Sequence, residues 1–199
     1  MAEKYTYDIE LDGDSESPRS WDNMETMTLW HSRYTLGDEH NYKSNQCFLL
    51  DLSELEDPYE DYYSYALYDN LDESTVEKIW EKIYELYIIL PVYIYDHSGI
   101  TINTTGFRCP WDSGQVGWVY VSKATLRKEY NWERISKARE KQIESYLKAQ
   151  VETYDQYISG EVYGYIVRDL DGESVDSCWG FYTKELAETE ALSAIAYLN

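Results

Sequence analysis

Hydrophobic positions recur along the chain with two different periods, and each period predicts a different element. Strict alternation of apolar or aromatic residues with polar ones is typical of strands. It occurs at residues 4–11, and further strands are predicted at 90–96, which is rich in β-branched and aromatic residues, and at 116–122. Residues 100–105 are the predicted hairpin partner of 90–96, and residues 161–183 are predicted to form a second hairpin. Turn residues at His97–Gly99 and at Asp171–Gly172 predict that two pairs of these strands form hairpins. Residues 23–38 are predicted as a further extended or mixed segment that ends at Gly37.

Apolar positions that recur every three or four residues predict helices. They occur at residues 72–87, 123–130, 132–158 and 184–199. Ser74 and Glu77 predict a capping box for the first helix, and Ser122 predicts a cap for the second. Ser159 and Gly160 mark the end of the long third helix, because glycine commonly follows a helix end. Residues 45–52 are predicted only as a short buried element.

These elements predict an α+β fold in a single domain spanning residues 1–199. Strands and helices are interspersed without the regular spacing of βαβ units, so we expect an antiparallel or mixed sheet with hairpins. Three to four helices should pack on it, the longest at about 132–158. The chain shows no internal repeat, low-complexity tract or long linker.

Composition favours a soluble, cytoplasmic protein without a membrane partner. The three cysteines, Cys47, Cys109 and Cys178, are odd in number and widely spaced, which suits a reducing compartment. The first residues are acidic and lack the apolar region of a signal peptide. The longest apolar run, residues 88–95, is far too short to span a bilayer.

The charge is clustered, and this clustering indicates a basic protein partner. The formal net charge is −21, and residues 1–77 contain 20 acidic and only 4 basic side chains. A field of this size attracts basic protein surfaces, whereas it repels nucleic acid and anionic lipid. The alternative is that the acidity serves solubility alone. The sequence leaves the oligomeric state open.

The strongest concentration of acid lies in the tyrosine-rich segment at residues 51–77. Between Ser53 and Asn70 the chain has six carboxylates, five tyrosines and no Lys or Arg. Carboxylates three or four residues apart on a helix lie about 5–6 Å from one another, which is close to the spacing of phosphates. Tyrosines could contact the Arg and aromatic groups that normally grip nucleic acid. The predicted partner-binding residues are Glu54, Glu56, Asp57, Tyr59, Glu60, Asp61, Tyr62, Tyr63, Asp69 and Asp72.

No strong catalytic or cofactor motif is present, and we expect no cofactor and no metal. Cys109, His97 and Asp112 are the ingredients of a thiol nucleophile, its base and an orienting group. The structural alternative for this loop is that Trp111 fills the core. His31, His40 and Cys47 lack the close spacing of structural zinc sites. Residues 169–174 lack the EF-hand pattern and are predicted to form a turn.

One segment, residues 123–150, is locally basic, with 8 bases and 4 acids. Its acids lie three or four residues from bases, as in self-paired solvated helices. The four acids are Glu129, Glu133, Glu140 and Glu144. We therefore expect this segment to serve as intramolecular scaffolding, and direct binding of nucleic acid is disfavoured.

Residues 90–130, "LPVYIYDHSGITINTTGFRCPWDSGQVGWVYVSKATLRKEY", resemble a recurrent block in small proteins of bacteriophages and mobile elements. Residues 17–38 resemble the amino-terminal part of the same proteins, and residues 160–169 and 176–183 resemble their closing hairpin. The resemblance covers about two thirds of the chain in matching order. It implies a phage or mobile-element origin, but it supplies no activity and no catalytic residues.

Small acidic phage proteins often resemble DNA to the host. They occupy the basic clefts of restriction enzymes or CRISPR effectors. The hypothesis is therefore an anti-defence protein, anti-CRISPR or anti-restriction, that binds such a host protein through its acidic surface. One alternative is a small Cys/His-dependent enzyme that acts on a host factor or a signalling nucleotide. Another is an acidic phage house-keeping protein.

Overall fold

Two antiparallel sheets form the framework of the computed structural model, which describes residues 4–55 and 72–198. The seven strands in this part of the chain are β1 (Thr6–Leu11), β2 (Thr26–Leu29), β3 (Tyr87–Asp96), β4 (Ile100–Asn103), β5 (Ser113–Ser122), β6 (Tyr163–Arg168) and β7 (Ser174–Phe181). The helices described are α1 (Asn45–Ser53), α2 (Glu73–Leu86), α3 (Lys123–Glu129), α4 (Lys137–Ile158) and α5 (Lys184–Leu198), and Pro18–Ser20 form a 3-10 turn.

The larger sheet has the strand order β2-β5-β3-β4 and is covered by helices on both faces. Its central strand β3 places Ile88 in the core on the side of α4 and Ile89 in the core on the side of α1 and α2. Successive side chains of a strand point to opposite faces, so the continuous apolar run of β3 fits a strand that is buried on both sides. Strand β5 lies so close to β2 that a Cβ on Gly117 would stand 2.1 Å from the carbonyl oxygen of Thr28.

The smaller sheet has the order β1-β6-β7, and α5 covers one of its faces. Tyr165 and Val167 of β6 pack against Ala191 of α5, whose small side chain lets the helix approach the sheet. The amino-terminal strand β1 pairs with β6 in antiparallel register, Thr6 opposite Arg168. Tyr182, which follows β7, donates a hydrogen bond to the carbonyl oxygen of Glu16 and meets Trp21 edge-on.

The predicted α+β fold in a single domain is confirmed, and so are both hairpins. The described chain has five helices, one more than expected. The additional helix is α1, which begins at the cap Ser44 where only a short buried element was predicted.

One predicted cap and one predicted helix start were wrong. Helix α2 is capped by Asp72, which accepts a hydrogen bond from the backbone N–H of Thr75, and not by a Ser74–Glu77 capping box. Helix α4 begins at Lys137 after the cap Ser136, five residues later than predicted. No helix in the described part of the chain is both long and apolar enough to cross a membrane.

Candidate functional site

Most of the predicted partner-binding residues lie outside the described part of the chain. These are Glu56, Asp57, Tyr59, Glu60, Asp61, Tyr62, Tyr63 and Asp69. The two that are described, Glu54 and Asp72, lie on either side of residues 56–71 in the sequence. Glu54 is exposed and ends α1 in a left-handed conformation, with φ of 53°.

Asp72 has a structural role as well as a charge. Its carboxylate accepts hydrogen bonds from the hydroxyls of Ser74 and Thr75 and from the Thr75 backbone N–H. These bonds, with that of Ser74 the largest contribution, lower the pKa of Asp72 to about 2. The side chain therefore stays ionised at neutral pH while it caps α2.

Helix α2 carries a row of acidic side chains on its solvent face. Glu73, Glu77, Glu81 and Glu85 follow one another at intervals of four residues, and all four are exposed. We call these four residues the α2 glutamate row. The opposite face of the helix buries Ile79 and Ile83 against α1 and β3. Four residues of helix rise about 6 Å, so the row extends over about 18 Å.

Helix α2 also has two lysines, Lys78 and Lys82, but they do not neutralise the α2 glutamate row. Lys82 binds Glu85 at 2.7 Å, and this hydrogen bond lowers the pKa of Glu85. Among the described residues, Glu73, Glu77 and Glu81 have no basic partner within ion-pair distance. These three carboxylates are free to meet an external cation.

The candidate thiol site is brought together, but in an order that differs from a catalytic triad. The Asp112 Oδ2 atom lies 3.4 Å from Nδ1 of His97 and 3.6 Å from Sγ of Cys109. The carboxylate thus lies between the two groups: it accepts a hydrogen bond from the thiol and is within ion-pair distance of the imidazole. In a thiol enzyme the imidazole takes the proton of the thiol, and the carboxylate only orients the imidazole. Trp111 is 91% exposed, so the expectation that it fills the core was wrong.

A second carboxylate lies at the same end of the larger sheet. The Asp96 Oδ2 atom contacts Nη2 of Arg33 and lies 3.2 Å from Nε2 of His31. The hydrogen bond from Arg33 is the main cause of the lowered pKa of Asp96. The backbone N–H of Asp96 donates to the carbonyl oxygen of Asp112 at 2.8 Å, which joins the two carboxylate sites. The Nδ1 atom of His31 accepts two backbone N–H groups, so both ring nitrogens are already engaged.

The described residues contain no group of three or more His, Cys, Asp or Glu side chains that could hold a metal ion. His31, His40 and Cys47 each have a different partner. The Nε2 atom of His40 lies 2.9 Å from the carbonyl oxygen of Leu29, and the Cys47 thiol lies beside the Ser44 hydroxyl. A cleft of about 690 Å³ lies along residues 29–41. Both ring nitrogens of His31 are engaged there, whereas Nδ1 of His40 is buried and has no hydrogen-bond partner among the described residues.

Among the described residues, the acids and bases of the basic segment do not form the predicted ion pairs at three- or four-residue spacing along one helix. Of its four acids only Glu140 forms an ion pair among the described residues, and its partner is Lys123 from the preceding helix, at 3.1 Å. Lys123 also donates to the carbonyl oxygen of Tyr84, which ties α3 to the end of α2. Arg139 lies over the ring of Trp132, with its Cζ atom 4.5 Å from the ring centroid. The segment therefore has scaffolding contacts, but they join different elements instead of running along one helix.

The α2 glutamate row was missed at the level of sequence, although its signal was present. The helix was predicted, and its four glutamates are spaced i, i+4, i+8 and i+12. The hydrophobic stripe of the same helix would have placed them on the solvent face. The tyrosine-rich segment at residues 51–77 has the more extreme composition and therefore gives the stronger signal in the sequence.

Comparison of the chain with protein-family models, with curated proteins and with solved structures finds no match in any of the three.

Proposed function

We propose that this is a phage-encoded anti-defence protein that acts in the host cytoplasm by binding a basic, nucleic-acid-binding host protein. A CRISPR effector or a restriction enzyme is the class of target that fits. The contact surface is the α2 glutamate row together with the acidic stretch at residues 54–72. The observation that carries this proposal is the row itself, with four exposed carboxylates at regular spacing on one helix.

The negative charge of the α2 glutamate row continues in the sequence that precedes it. Residues 51–85 contain 12 acids and only 2 bases, Lys78 and Lys82. Asp72 belongs to both parts, because it ends the stretch and caps the helix. A basic cleft would be attracted to the carboxylates of the row, whose field acts over about one Debye length, about 8 Å at physiological salt.

The number of charges decides whether the α2 glutamate row alone could imitate DNA. Over the roughly 18 Å of the row, duplex DNA presents about ten negative charges. The row offers four glutamates and is offset by two lysines. It is therefore too sparse to imitate DNA alone, and mimicry needs the seven carboxylates of residues 54–72 in addition.

An aromatic side chain beside the row supplies a second kind of contact. Tyr84 is 58% exposed and stacks on Trp80 with ring centroids 5.4 Å apart. It lies three residues after Glu81, on the neighbouring part of the helix surface. An arginine of the target could pair with Glu81 and stack on Tyr84, since guanidinium groups bind aromatic faces.

A small enzyme acting on a host factor or a signalling nucleotide is the second candidate. It is favoured by the convergence of Cys109, His97 and Asp112. Against it, the atom beside the thiol is a carboxylate oxygen, whereas thiolate nucleophiles are stabilised by positive neighbours. The binding function accounts for the charge distribution, which thiol chemistry does not.

The test is a tagged pull-down from bacterial lysate with mass spectrometry, using parent and variant chains side by side. The first variant changes Glu73, Glu77 and Glu81 to Gln. The matched control changes Glu129, Glu133 and Glu152 to Gln, which alters net charge equally on other exposed positions. We expect one dominant basic nucleic-acid enzyme with parent and control, weaker recovery with the first variant, and release by added duplex DNA.

Two results would contradict the proposal. One is equal recovery of the host partner with both triple variants, which would indicate that the acidic residues of α2 serve solubility and not binding. The other is a Cys109→Ser variant that loses anti-defence activity although its thermal stability and its recovery of the partner are unchanged. That result would show that the activity depends on thiol chemistry and not on binding.

A further inference from the structure

A groove of about 400 Å³ lies between β7 and α5, on the smaller sheet. Its walls include Val175 and Asp176 from β7 and Glu190, Ala194 and Tyr197 from α5. The helix residues recur at positions 190, 194 and 197, so they occupy one helix face. Ala194 has a small side chain, which leaves room between the strand and the helix.

The only charged side chains that line this groove are carboxylates. Asp176 is half-buried and Glu190 is exposed, and no Lys or Arg of the described chain contributes to the lining. Lys184, on the same helix, lies 3.9 Å from Glu188 and is engaged there. The groove therefore carries negative charge without an internal counter-ion among the described residues.

Asp176 is held in place by a phenol. The hydroxyl of Tyr165 donates a hydrogen bond to its Oδ2 atom at 3.0 Å. Burial, followed by the bond to Asp176, raises the pKa of Tyr165 to about 12. Tyr165 thus remains a donor at neutral pH, and it fixes a carboxylate that still has accepting capacity toward the groove.

The rest of the lining suits an aliphatic stem and a flat cation. Val175 is 42% exposed and Tyr197 is 92% exposed, so both offer uncovered apolar surface. Arginine and lysine bury their methylene groups on apolar surface while their charged ends reach polar partners. An aromatic ring also attracts a cation placed over its face.

We propose that this groove is a binding pocket for an arginine or lysine side chain presented by another protein. Asp176 and Glu190 bind the cationic group, the ring of Tyr197 stacks on it, and Val175 and Ala194 contact the stem. The occupant follows from charge complementarity, because the lining of the groove has two carboxylates and no cation among the described residues. The pocket is separate from the α2 glutamate row and does not depend on it.

The probe is a blocked tripeptide, acetyl-Gly-Arg-Gly-amide, titrated into the ¹⁵N-labelled full chain. Its counterpart with citrulline has nearly the same shape but no charge. We expect the arginine peptide to shift the backbone amide signals of Val175, Asp176, Glu190 and Ala194, and the citrulline peptide to leave them in place. Asp176→Asn with Glu190→Gln should weaken binding at least about fivefold, because each such pair contributes up to about 1 kcal/mol. The asparagine can still accept the Tyr165 hydrogen bond.

Two further variants sharpen the test. Tyr197→Ala should also weaken binding, through loss of the ring. Glu161→Gln with Glu185→Gln is the charge-matched control outside the groove, and it should bind the peptide like the parent. Glu73, Glu77 and Glu81 to Gln should leave peptide binding unchanged, which separates this pocket from the proposed function.

The proposal is overturned if the citrulline peptide gives the same shifts, or if the shifts fall on other residues. It is equally overturned if the groove signals move with protein concentration in the absence of peptide, since a second copy of the chain would then occupy the groove.

Discussion

Arg19 shows at the scale of one residue how this acidic chain tolerates buried charge. Its guanidinium is almost fully buried and binds two carboxylates, Glu25 at 2.7 Å and Asp38 at 2.8 Å. Burial alone would lower the pKa of Arg19, but the hydrogen bonds to Asp38 and Glu25 outweigh it and raise the pKa. Glu25 also accepts from the hydroxyl of Tyr146, and Asp38 accepts from the backbone N–H of Met27. Each of the two carboxylates therefore has a second hydrogen-bond donor in addition to Arg19.

We predict that Arg19→Met destabilises the protein by about 3–5 kcal/mol, because it leaves Glu25 and Asp38 as uncompensated charges in the interior. Urea unfolding followed by circular dichroism measures the change. Arg168→Met is the control, since Arg168 binds Asp8 at the surface and such pairs contribute under about 1 kcal/mol. Equal effects of the two substitutions would mean that the buried network carries no special weight.

Single residues were the hardest level to predict from sequence. Cys109, His97 and Asp112 lie within sixteen residues of one another, which made them candidates for one site. The central position of Asp112 depends on the pairing of β3 with β5, which no local pattern encodes. The cap of α2 was misplaced because Asp72 and Ser74 are both favoured N-cap residues, and only the hydrogen bonds distinguish them.

At the scale of elements, periodicity located most helices and strands but not all of their ends. The predicted helix at 132–158 included Trp132 and Ile135, which do pack on the core. They reach it from a loop, however, and the helix begins only after Ser136. Hydrophobic spacing thus identified the buried residues correctly, while the backbone conformation between Tyr130 and Ser136 is set by contacts such as the stacking of Trp132 on Tyr130.

Asp155 joins two elements, and its titration gives a test at this scale. From α4 it accepts the backbone N–H of Ile102 at 2.7 Å and the hydroxyl of Thr101 at 3.0 Å, which secures the edge strand β4. Burial raises the pKa of Asp155 in spite of these bonds. Because the folded-state pKa is above the unfolded one, the contribution of this group to stability is fully present below the unfolded pKa. It is lost as the pH rises through the folded pKa.

We therefore predict that Asp155→Asn gains stability relative to the parent as the pH rises from about 3 to 7, because the amide never has to ionise in a buried site. Its carbonyl oxygen can still accept from Ile102. Urea unfolding of both chains across this range measures the difference. A loss of stability by Asp155→Asn relative to the parent as the pH rises would show that ionised Asp155 stabilises the fold.

At the scale of the whole molecule, fold class was predictable and sheet composition was not. Alternating and helical stretches imply α+β whatever their partners are. The division into two sheets depends on pairings such as β1 with β6, which join residues about 160 positions apart, Thr6 opposite Arg168. The groove between β7 and α5 exists only because of such packing, whereas the acidity of residues 51–85 is visible in composition alone.

The charge of the whole acidic surface gives the last prediction. A single ion pair at a protein surface contributes under about 1 kcal/mol to binding, so we expect Glu60→Gln alone to have little effect. Changing Glu56, Asp57, Glu60 and Asp61 together to their amides should weaken binding to the target identified by pull-down at least about tenfold. Isothermal titration across roughly 0.05–0.5 M salt measures this, because screening should weaken the parent steeply and the neutral variant little. A second variant changes Tyr59, Tyr62 and Tyr63 to Ala. We expect it to lose the part of the binding free energy that comes from aromatic contacts, and this loss should hardly depend on the salt concentration. Equal affinity of parent and fourfold variant over the whole salt range would show that these carboxylates do not contact the target.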